Sequence, residues 1–416
     1  MPLKDKLNNP MVGNFISLVF VQGINYILPL LSFPFLARTL GWERWGLVEF
    51  GYAFTLYFVS FTDFGFNLSG TKYIAQHRDE PDKINTFLNS ALLSRLILGI
   101  VSFFIILTIL FVFERFRVEQ TFYLLYFGIV IGNIMFPLWF FQGMEKMKYI
   151  TFFNVIAKSI SLLPLFFFIK QPSHYIYVPA CYSIGYIIAG VFSLYFIYFK
   201  SGFKWYIPPF QNIWFALKDS STYFLSRAST TLNAQSITTV LGLVCGNTIL
   251  AYYAAAQRLY QAYDQLVAPL TGVLFPHMAK TQDISFFKRI LTKVIIINIT
   301  LVIIALLLSN WIITIVYGTE VHQTTLIAFR ILLVANLFSI PSMLIGYPLL
   351  AAMGHPKYTN WTVILTSCFH IGMLILFYFT NSISIVYVSI LVVLSQFVLL
   401  TLRIVGVKKF NVLQKT

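Results

Sequence analysis

Residues Asn25–Arg78 read NYILPLLSFPFLARTLGWERWGLVEFGYAFTLYFVSFTDFGFNLSGTKYIAQHR, and how this stretch is read decides the fold. Two apolar runs, Asn14–Ala37 and Trp45–Leu68, are each long enough to cross a hydrocarbon layer roughly 30 Å thick as helices. A short polar turn around Gly41 joins them. Inside sit residues that a simple anchor does not need: Pro29 and Pro34 in the first run, Asp63 in the second. Asp63 is expected about seven residues short of the helix end, before Gly65 and a polar segment with Lys72, His77 and Arg78. A carboxylate so placed suggests a water-lined path.

The same pattern fills the chain. Its 416 residues are 58% hydrophobic and 10% charged, with a mean hydropathy of +0.78. A soluble domain carries about 25% charged residues, so most of this surface must face lipid. Apolar spans fall at 12–37, 46–69, 86–112, 121–142, 149–169, 175–199, 218–243, 248–275, 289–317, 324–352, 361–380 and 384–407. By length these predict an all-α membrane protein of twelve transmembrane helices. Lys4 and Lys6 precede a first span too long for a signal-peptide core, so it reads as a retained helix. An even count puts both termini on one side, and the cations choose the side. Eighteen Lys and Arg fall in segments sharing the N-terminal side, among them Lys72, Arg78, Lys83, Lys146, Lys148, Lys200, Lys204 and Lys415. Five fall opposite: Arg38, Arg44, Arg115, Arg117 and Lys170. Both termini are therefore expected in the cytoplasm.

The longest loop, about Lys200–Leu217, contains Pro208-Pro209 and lies at the midpoint. It divides a six-helix lobe at 1–200 from a second at 218–416, with 201–217 as a cytoplasmic connector. The halves resemble each other. Met144-x-x-x-Lys148-Tyr149 recurs 209 residues later as Met353-x-x-x-Lys357-Tyr358, and the Gly41 turn recurs 205 later at Gly246. Copies with an even number of helices share an orientation, so the lobes are expected to be related by a pseudo-two-fold along the membrane normal, with a cleft between them.

Composition also excludes. The formal charge of +15 is scattered between apolar runs, so no nucleic-acid surface is indicated. Cys181, Cys245 and Cys368 have neither disulfide nor metal spacing. G-x-x-x-x-G-K-[ST], H-E-x-x-H and C-x-x-C are all absent, and the loops leave no room for a catalytic domain. The expectation is a chain that is not an enzyme and has no cofactor or metal, any uphill work being coupled to a proton or sodium gradient, to product removal or to a partner.

Charged groups at membrane depth are costly and mark candidate sites. They are Asp63, Arg95, Lys158, Arg227, Arg258, Asp264 and Arg330, with Arg403 set aside as close enough to the inner end to snorkel. Five cations against two carboxylates leave a cationic excess, and a guanidinium fork suits phosphate oxygens. Arg258 lies near mid-membrane, and Arg227 sits in the polar run SRASTTLNAQS at 226–236. These two, with Arg95 and Lys158, are the candidate substrate-binding residues; Asp63 and Asp264 are the candidates for ion coupling. Blander readings stand beside each. Asp63 and Arg95 lie at similar depth and can simply pair, Lys158 can neutralise a helix end, Arg330 can snorkel outward, and Pro29, Pro34 and Pro269 can be static kinks rather than hinges.

Several of these residues also carry a family resemblance. Gln22-Gly23-Ile24-Asn25-Tyr26, Leu28-Pro29-Leu30-Leu31, Leu40-Gly41, the run at 62–69 (TDFGFNLS) and that at 74–79 (IAQHRD) resemble the start of the bacterial O-antigen and polysaccharide flippases (Wzx type). The run at 137–149 (PLWFFQGMEKMKY) resembles that family's loop after the fourth helix, and Gly246-Asn247 with the run at 252–256 (YYAAA) its entry into the eighth. This implies a transporter of the multidrug/oligosaccharidyl-lipid/polysaccharide superfamily in the cytoplasmic (inner) membrane. Its cargo would be undecaprenyl-pyrophosphate-linked oligosaccharide, flipped by alternating access through a cationic central cavity. Membrane lipid, a polysaccharide polymerase and a chain-length regulator are the implied partners. An ion-coupled multidrug exporter is the first alternative, although cationic drugs favour carboxylates over arginines. A polymerase or ligase is the second, disfavoured by outer loops of about ten residues or fewer.

Overall fold

The computed structural model of the chain describes residues 10–319 and 321–412, with side chains described from Leu28 onward except at a few positions that include Ser226 and Pro269. Lys4, Lys6 and Lys415, counted above as inner cations, lie outside the described residues, as does the Pro269 side chain. No strand occurs among the described residues. The helices in order are α1 (Pro10–Asp63), α2 (Phe66–Gln76), α3 (Pro81–Val112), α4 (Glu114–Val118), α5 (Gln120–Met135), α6 (Leu138–Gly143), α7 (Met147–Phe168) and α8 (Tyr177–Tyr195). After a π turn at Phe196–Lys200 follow α9 (Phe210–Val244), α10 (Asn247–Thr281), α11 (Ile284–Leu307), α12 (Ser309–Tyr317) and α13 (Gln323–Leu344). A second π stretch, Ile345–Ala351, leads to α14 (Pro356–Phe379) and α15 (Ile385–Lys409). Among the described residues, eight helices are long and apolar enough to cross a membrane. Of the most apolar window in Ile284–Leu307 only 11% is buried, so its side chains are left for lipid to cover.

Breaks in the helices fall where the backbone chemistry puts them. Within α1 only Gly41 leaves helical geometry, at φ 75 and ψ 165; Pro29 and Pro34 lie inside continuous helix. Gly246, between α9 and α10, takes nearly the same conformation, φ 89 and ψ 171. A side chain disfavours positive φ, and glycine has none. The other sequence repeat behaves likewise: Glu145 (φ 56) and Gly354 (φ 92), again 209 apart, are both left-handed. The second apolar span ends earlier than the hydropathy suggested. Phe64 (φ 46) and Gly65 (φ 87) are consecutive left-handed residues, so Asp63 is the last residue of its helix and not a residue seven short of the end.

Packing divides the chain into two compact units at places other than the sequence repeat. Unit one comprises the described residues of Met1–Leu40 and Gly51–Thr231; unit two comprises Gly41–Phe50 and those of Leu232–Thr416. Residues 218–231 thus pack with unit one, and the Gly41 turn with unit two. The second assignment has a steric cause: a Cβ on Gly46 would lie 1.9 Å from the Asn247 carbonyl oxygen, and one on Gly242 2.3 Å from the Phe50 ring.

In unit one α8 packs against α5 and α7. Its aromatic core joins Trp139, Phe140 and Phe141 to Phe66, Ile74 and Phe87. In unit two α13 packs against α10, α11 and α15, over a core that includes Met278, Phe287, Leu344 and Leu349.

Candidate functional site

In unit one the candidate site forms where α1 breaks. The first part of α9 closes on the break: the Phe64 and Phe224 rings stack at 4.6 Å, and Ser69 and Ser220 share a hydrogen bond of 2.5 Å. A Cβ on Gly65 would lie 2.6 Å from the Ser220 carbonyl oxygen, so only glycine permits this approach. The approach brings Arg227 to Asp63, with Nε 3.9 Å from a carboxylate oxygen. The two groups differ in exposure: the Asp63 side chain is 7% exposed, that of Arg227 45%. The Asn67 backbone and side chain lie within bonding reach of the Asp63 carboxylate, while Arg227 meets it by charge at the longer distance. Arg95 also contributes to the field at Asp63 but does not bond to it.

Arg95 is occupied elsewhere. It is 1% exposed and donates through Nη2 to the Asn133 side chain at 2.7 Å and the Asn133 carbonyl at 2.8 Å. Helix geometry explains the partner. Pro137, four residues on, has no N–H to offer that carbonyl; the Phe136 N–H caps it at 3.1 Å, and an arginine from α3 supplies a second donor at the break between α5 and α6. Lys158 lies half-buried in α7.

Unit two pairs its arginine tightly. Arg258 Nη2 donates to Glu49 at 2.6 Å, with Gln261 at 3.4 Å on Nη1; the side chains are 21% and 6% exposed. Glu49 was missing from the sequence list of deep charges. It lies one turn after Trp45, where a carboxylate can reach water, but aromatic side chains close over this end of the unit. Trp45, Trp42 and Tyr317 lie with ring centroids 5.8–6.1 Å apart, and Tyr252 stacks on His322 at 4.8 Å.

Asp264 accepts from Ser339 at 2.8 Å. Around it run Asn336, Asn298 and Tyr263: Asn298 donates to the Asn336 carbonyl at 3.0 Å, and Tyr263 to the Asn298 side chain at 2.7 Å. This buried oxygen-rich network joins α10, α11 and α13.

Arg330 is exposed, and its Nε donates to the buried Ser309 hydroxyl at 2.8 Å. Arg403 is buried, not snorkelled to the surface: it is 6% exposed, and Nη1 donates to the carbonyl and hydroxyl of Ser342. The guanidinium fits because Gly346 has no side chain; a Cβ there would lie 2.7 Å from Arg403 Cζ. With Glu49 and Arg403 counted and Arg330 moved to the surface, the deep charges are five cations and three carboxylates. Arg95 and Arg403 are committed to helix breaks, Arg258 is bonded to Glu49, and Arg227 meets Asp63 at 3.9 Å.

Known proteins place this arrangement. A family model described as "Polysaccharide biosynthesis protein" matches residues 11–282, well over half the chain. Two curated relatives are both named "Putative O-antigen transporter". The one from Escherichia coli (strain K12) is 28% identical over 279 residues, 67% of either chain, and the one from Shigella dysenteriae 26% over 282 residues. Among solved structures, the lipid II flippase MurJ in an inward closed conformation aligns with a TM-score of 0.78 over 96% of this chain and 89% of that one. An inward-facing multidrug resistance MATE family transporter of the MOP superfamily aligns at 0.70 over 94% and 96%. Both are 14% identical, so they show a shared fold. The chain is a multi-pass membrane protein and belongs to the polysaccharide biosynthesis protein family.

Proposed function

We propose that this protein is a flippase that carries undecaprenyl-pyrophosphate-linked oligosaccharide, an O-antigen unit or a related one, from the cytoplasmic to the outer face of the inner membrane. In this reading twelve helices cross the bilayer and both termini lie in the cytoplasm. The lobes 1–200 and 218–416 are duplicated halves joined by the 201–217 connector. Alternating access exposes one polar path first to one side and then to the other. The family match and the names of the curated relatives support the class of cargo.

The observation that carries the mechanism is Arg227: a half-exposed guanidinium on a polar helix, held at the long distance of 3.9 Å by the Asp63 carboxylate. An incoming pyrophosphate offers that arginine the bidentate partner it lacks. Arg258 is the anion contact of unit two, and anion binding there has to loosen its bond to Glu49. Lys158 adds charge in unit one. Arg95 sets the position of α5 and α6 and acts on the cargo only through Asp63. Asp63, once Arg227 turns to the phosphate, is a carboxylate ready to take a proton, and Asp264 with its hydroxyl and amide neighbours is the corresponding ion-coupling group of unit two.

Complementation of a flippase-deficient strain tests this reading. Arg227→Ala and Arg258→Ala are expected to lose surface polysaccharide at unchanged protein level; normal polymer from both would remove the cationic path. Reporter fusions after Lys72, Lys148 and Lys357 are expected to report cytoplasm. An outer signal at two of the three reverses the orientation.

A further inference from the structure

Unit one carries another cationic feature that shares no residue with the Asp63–Arg227 pair. The chain leaves α8 through the π turn Phe196–Lys200, closed by the Ser201 N–H donating to the Phe196 carbonyl at 3.0 Å. Single π turns are rare and recur at functional sites, because the extra residue pushes the side chains out of helical register. Here the turn lies against the start of α7: the Tyr149 and Phe196 ring centroids are 4.0 Å apart, and Lys146 Nζ lies 5.7 Å over the Phe196 ring.

A cavity of about 560 Å³ opens beside this contact, lined by Lys146, Tyr149, Phe152, Tyr195, Lys200 and Ser201 among others. One part is cationic and polar. It is lined by Lys146, Lys200 and Ser201, whose hydroxyl is buried and has no hydrogen-bond partner. The other part is aromatic and open to the surroundings, with Phe152 58% and Tyr195 50% exposed. No carboxylate lines the cavity among the described residues. The nearest in sequence, Glu145, is taken by Arg78 at 2.8 Å, and Arg78 is anchored in turn to the Gly143 carbonyl at 2.7 Å. A second cavity of about 360 Å³ shares Lys146 and Ser201 and is lined in addition by Lys204, Arg78 and the carboxylate of Asp82.

We propose that this cavity binds the headgroup of an anionic glycerophospholipid. Its phosphodiester sits between Lys146 and Lys200, accepts from Ser201 Oγ, and leaves the acyl chains along Phe152 and Tyr195. Charge complementarity identifies the occupant: two lysines without a carboxylate call for an anion, and basic pockets between membrane helices are sites for acidic headgroups. The exposed aromatic wall calls for a hydrocarbon chain attached to that anion, which a soluble phosphate does not have.

The test uses the full chain purified in a nonionic detergent, with bound lipid read by native mass spectrometry. Wild type is expected to retain phosphatidylglycerol in preference to phosphatidylcholine and to keep it against excess inorganic phosphate. Lys200 is exposed, so Lys200→Gln leaves the fold standing, and it is expected to weaken phosphatidylglycerol about fivefold, as loss of one juxtamembrane cation does. Lys146→Gln is expected to lose a similar factor and Lys146→Arg to recover it. Equal retention of the two lipids, or Lys200→Gln and Lys146→Gln indistinguishable from wild type, overturns the proposal. So does displacement by inorganic phosphate, which would mark a soluble-anion site.

Discussion

Each unit buries one arginine against a broken helix and pairs another with a carboxylate, but the two units do so differently. In unit one Arg95 reaches from α3 to the break at Asn133; in unit two Arg403 reaches from α15 to the π stretch after Ser342. Asn133 and Ser342 are 209 residues apart, the same offset as the Met144 and Met353 repeat. The need for a donor therefore recurs at equivalent positions, while the helix that supplies it does not. The carboxylate pairs differ in strength: Asp63–Arg227 spans 3.9 Å with a half-exposed arginine, Glu49–Arg258 spans 2.6 Å with both groups mostly buried. The first arrangement leaves a guanidinium able to change partner. In the second, the partner has to be displaced.

The largest expected effects fall on the buried members. Glu49→Gln removes the acid from a buried pair and leaves Arg258 charged and uncompensated, which costs about 3–5 kcal/mol of stability. Asp63→Asn leaves behind a half-exposed Arg227 and takes a carboxylate charge from the field at buried Arg95, so its effect is expected to be smaller than that of Glu49→Gln, whose arginine loses a direct 2.6 Å bond. Thermal melts of the two purified variants decide the matter. Equal losses would make the two pairs one kind of interaction. Next come Arg95→Ala and Arg403→Ala. Each removes a buried donor from a carbonyl that keeps only its backbone partner, Phe136 N–H on Asn133 or Ile345 N–H on Ser342, and opens a cavity, so both are expected to lower stability by about 3 kcal/mol. A harmless Arg403→Ala would return that residue to the membrane surface.

Much of this was legible in the sequence and some was not, for reasons that particular residues show. Gly41 and Gly246 announced themselves because a helix reversal needs positive φ, a local property of one residue. The helical spans were legible because lipid imposes a long run of apolar side chains. Glu49 and Arg403 were misread for the same reason as each other. Both lie within a turn or two of a span end, where hydropathy alone says that the side chain reaches water. What surrounds them comes from far along the chain: Tyr317 near Glu49, Gly346 and Ser342 around Arg403. The meeting of Asp63 and Arg227 across 164 residues was equally out of reach, since it depends on a Gly65 turn narrow enough to admit α9.

That narrow turn permits a sharper test of the loose pair. Gly65→Ala places a side chain at φ 87 and 2.6 Å from the Ser220 carbonyl oxygen. Left-handed backbone alone costs a non-glycine residue about 1–2 kcal/mol, and relief of the contact pushes α9 away. Gly41→Ala, at φ 75 and ψ 165, bears the larger backbone penalty, because that region is open essentially to glycine alone, but it has nothing within 4 Å of the new Cβ. Both variants are strained, and only Gly65→Ala adds a displacement. Transport is expected to fall more for Gly65→Ala than for Gly41→Ala at matched protein level, because only the former moves Arg227 from Asp63.

The smallest effect belongs to Asp264. Ser339→Ala removes one donor from a carboxylate that retains the Tyr260 hydroxyl within bonding reach, so about 1 kcal/mol of stability is at stake. The informative measurement is transport against pH or sodium. Loss of a donor changes how the carboxylate is held, so the transport profile is expected to shift in Ser339→Ala if Asp264 carries the coupling ion. Asp63→Asn removes the titrating group of unit one and is expected to flatten the same profile if the proton travels there instead. Only the unit that couples will shift the curve, and a profile unchanged in both variants would place ion coupling in neither carboxylate.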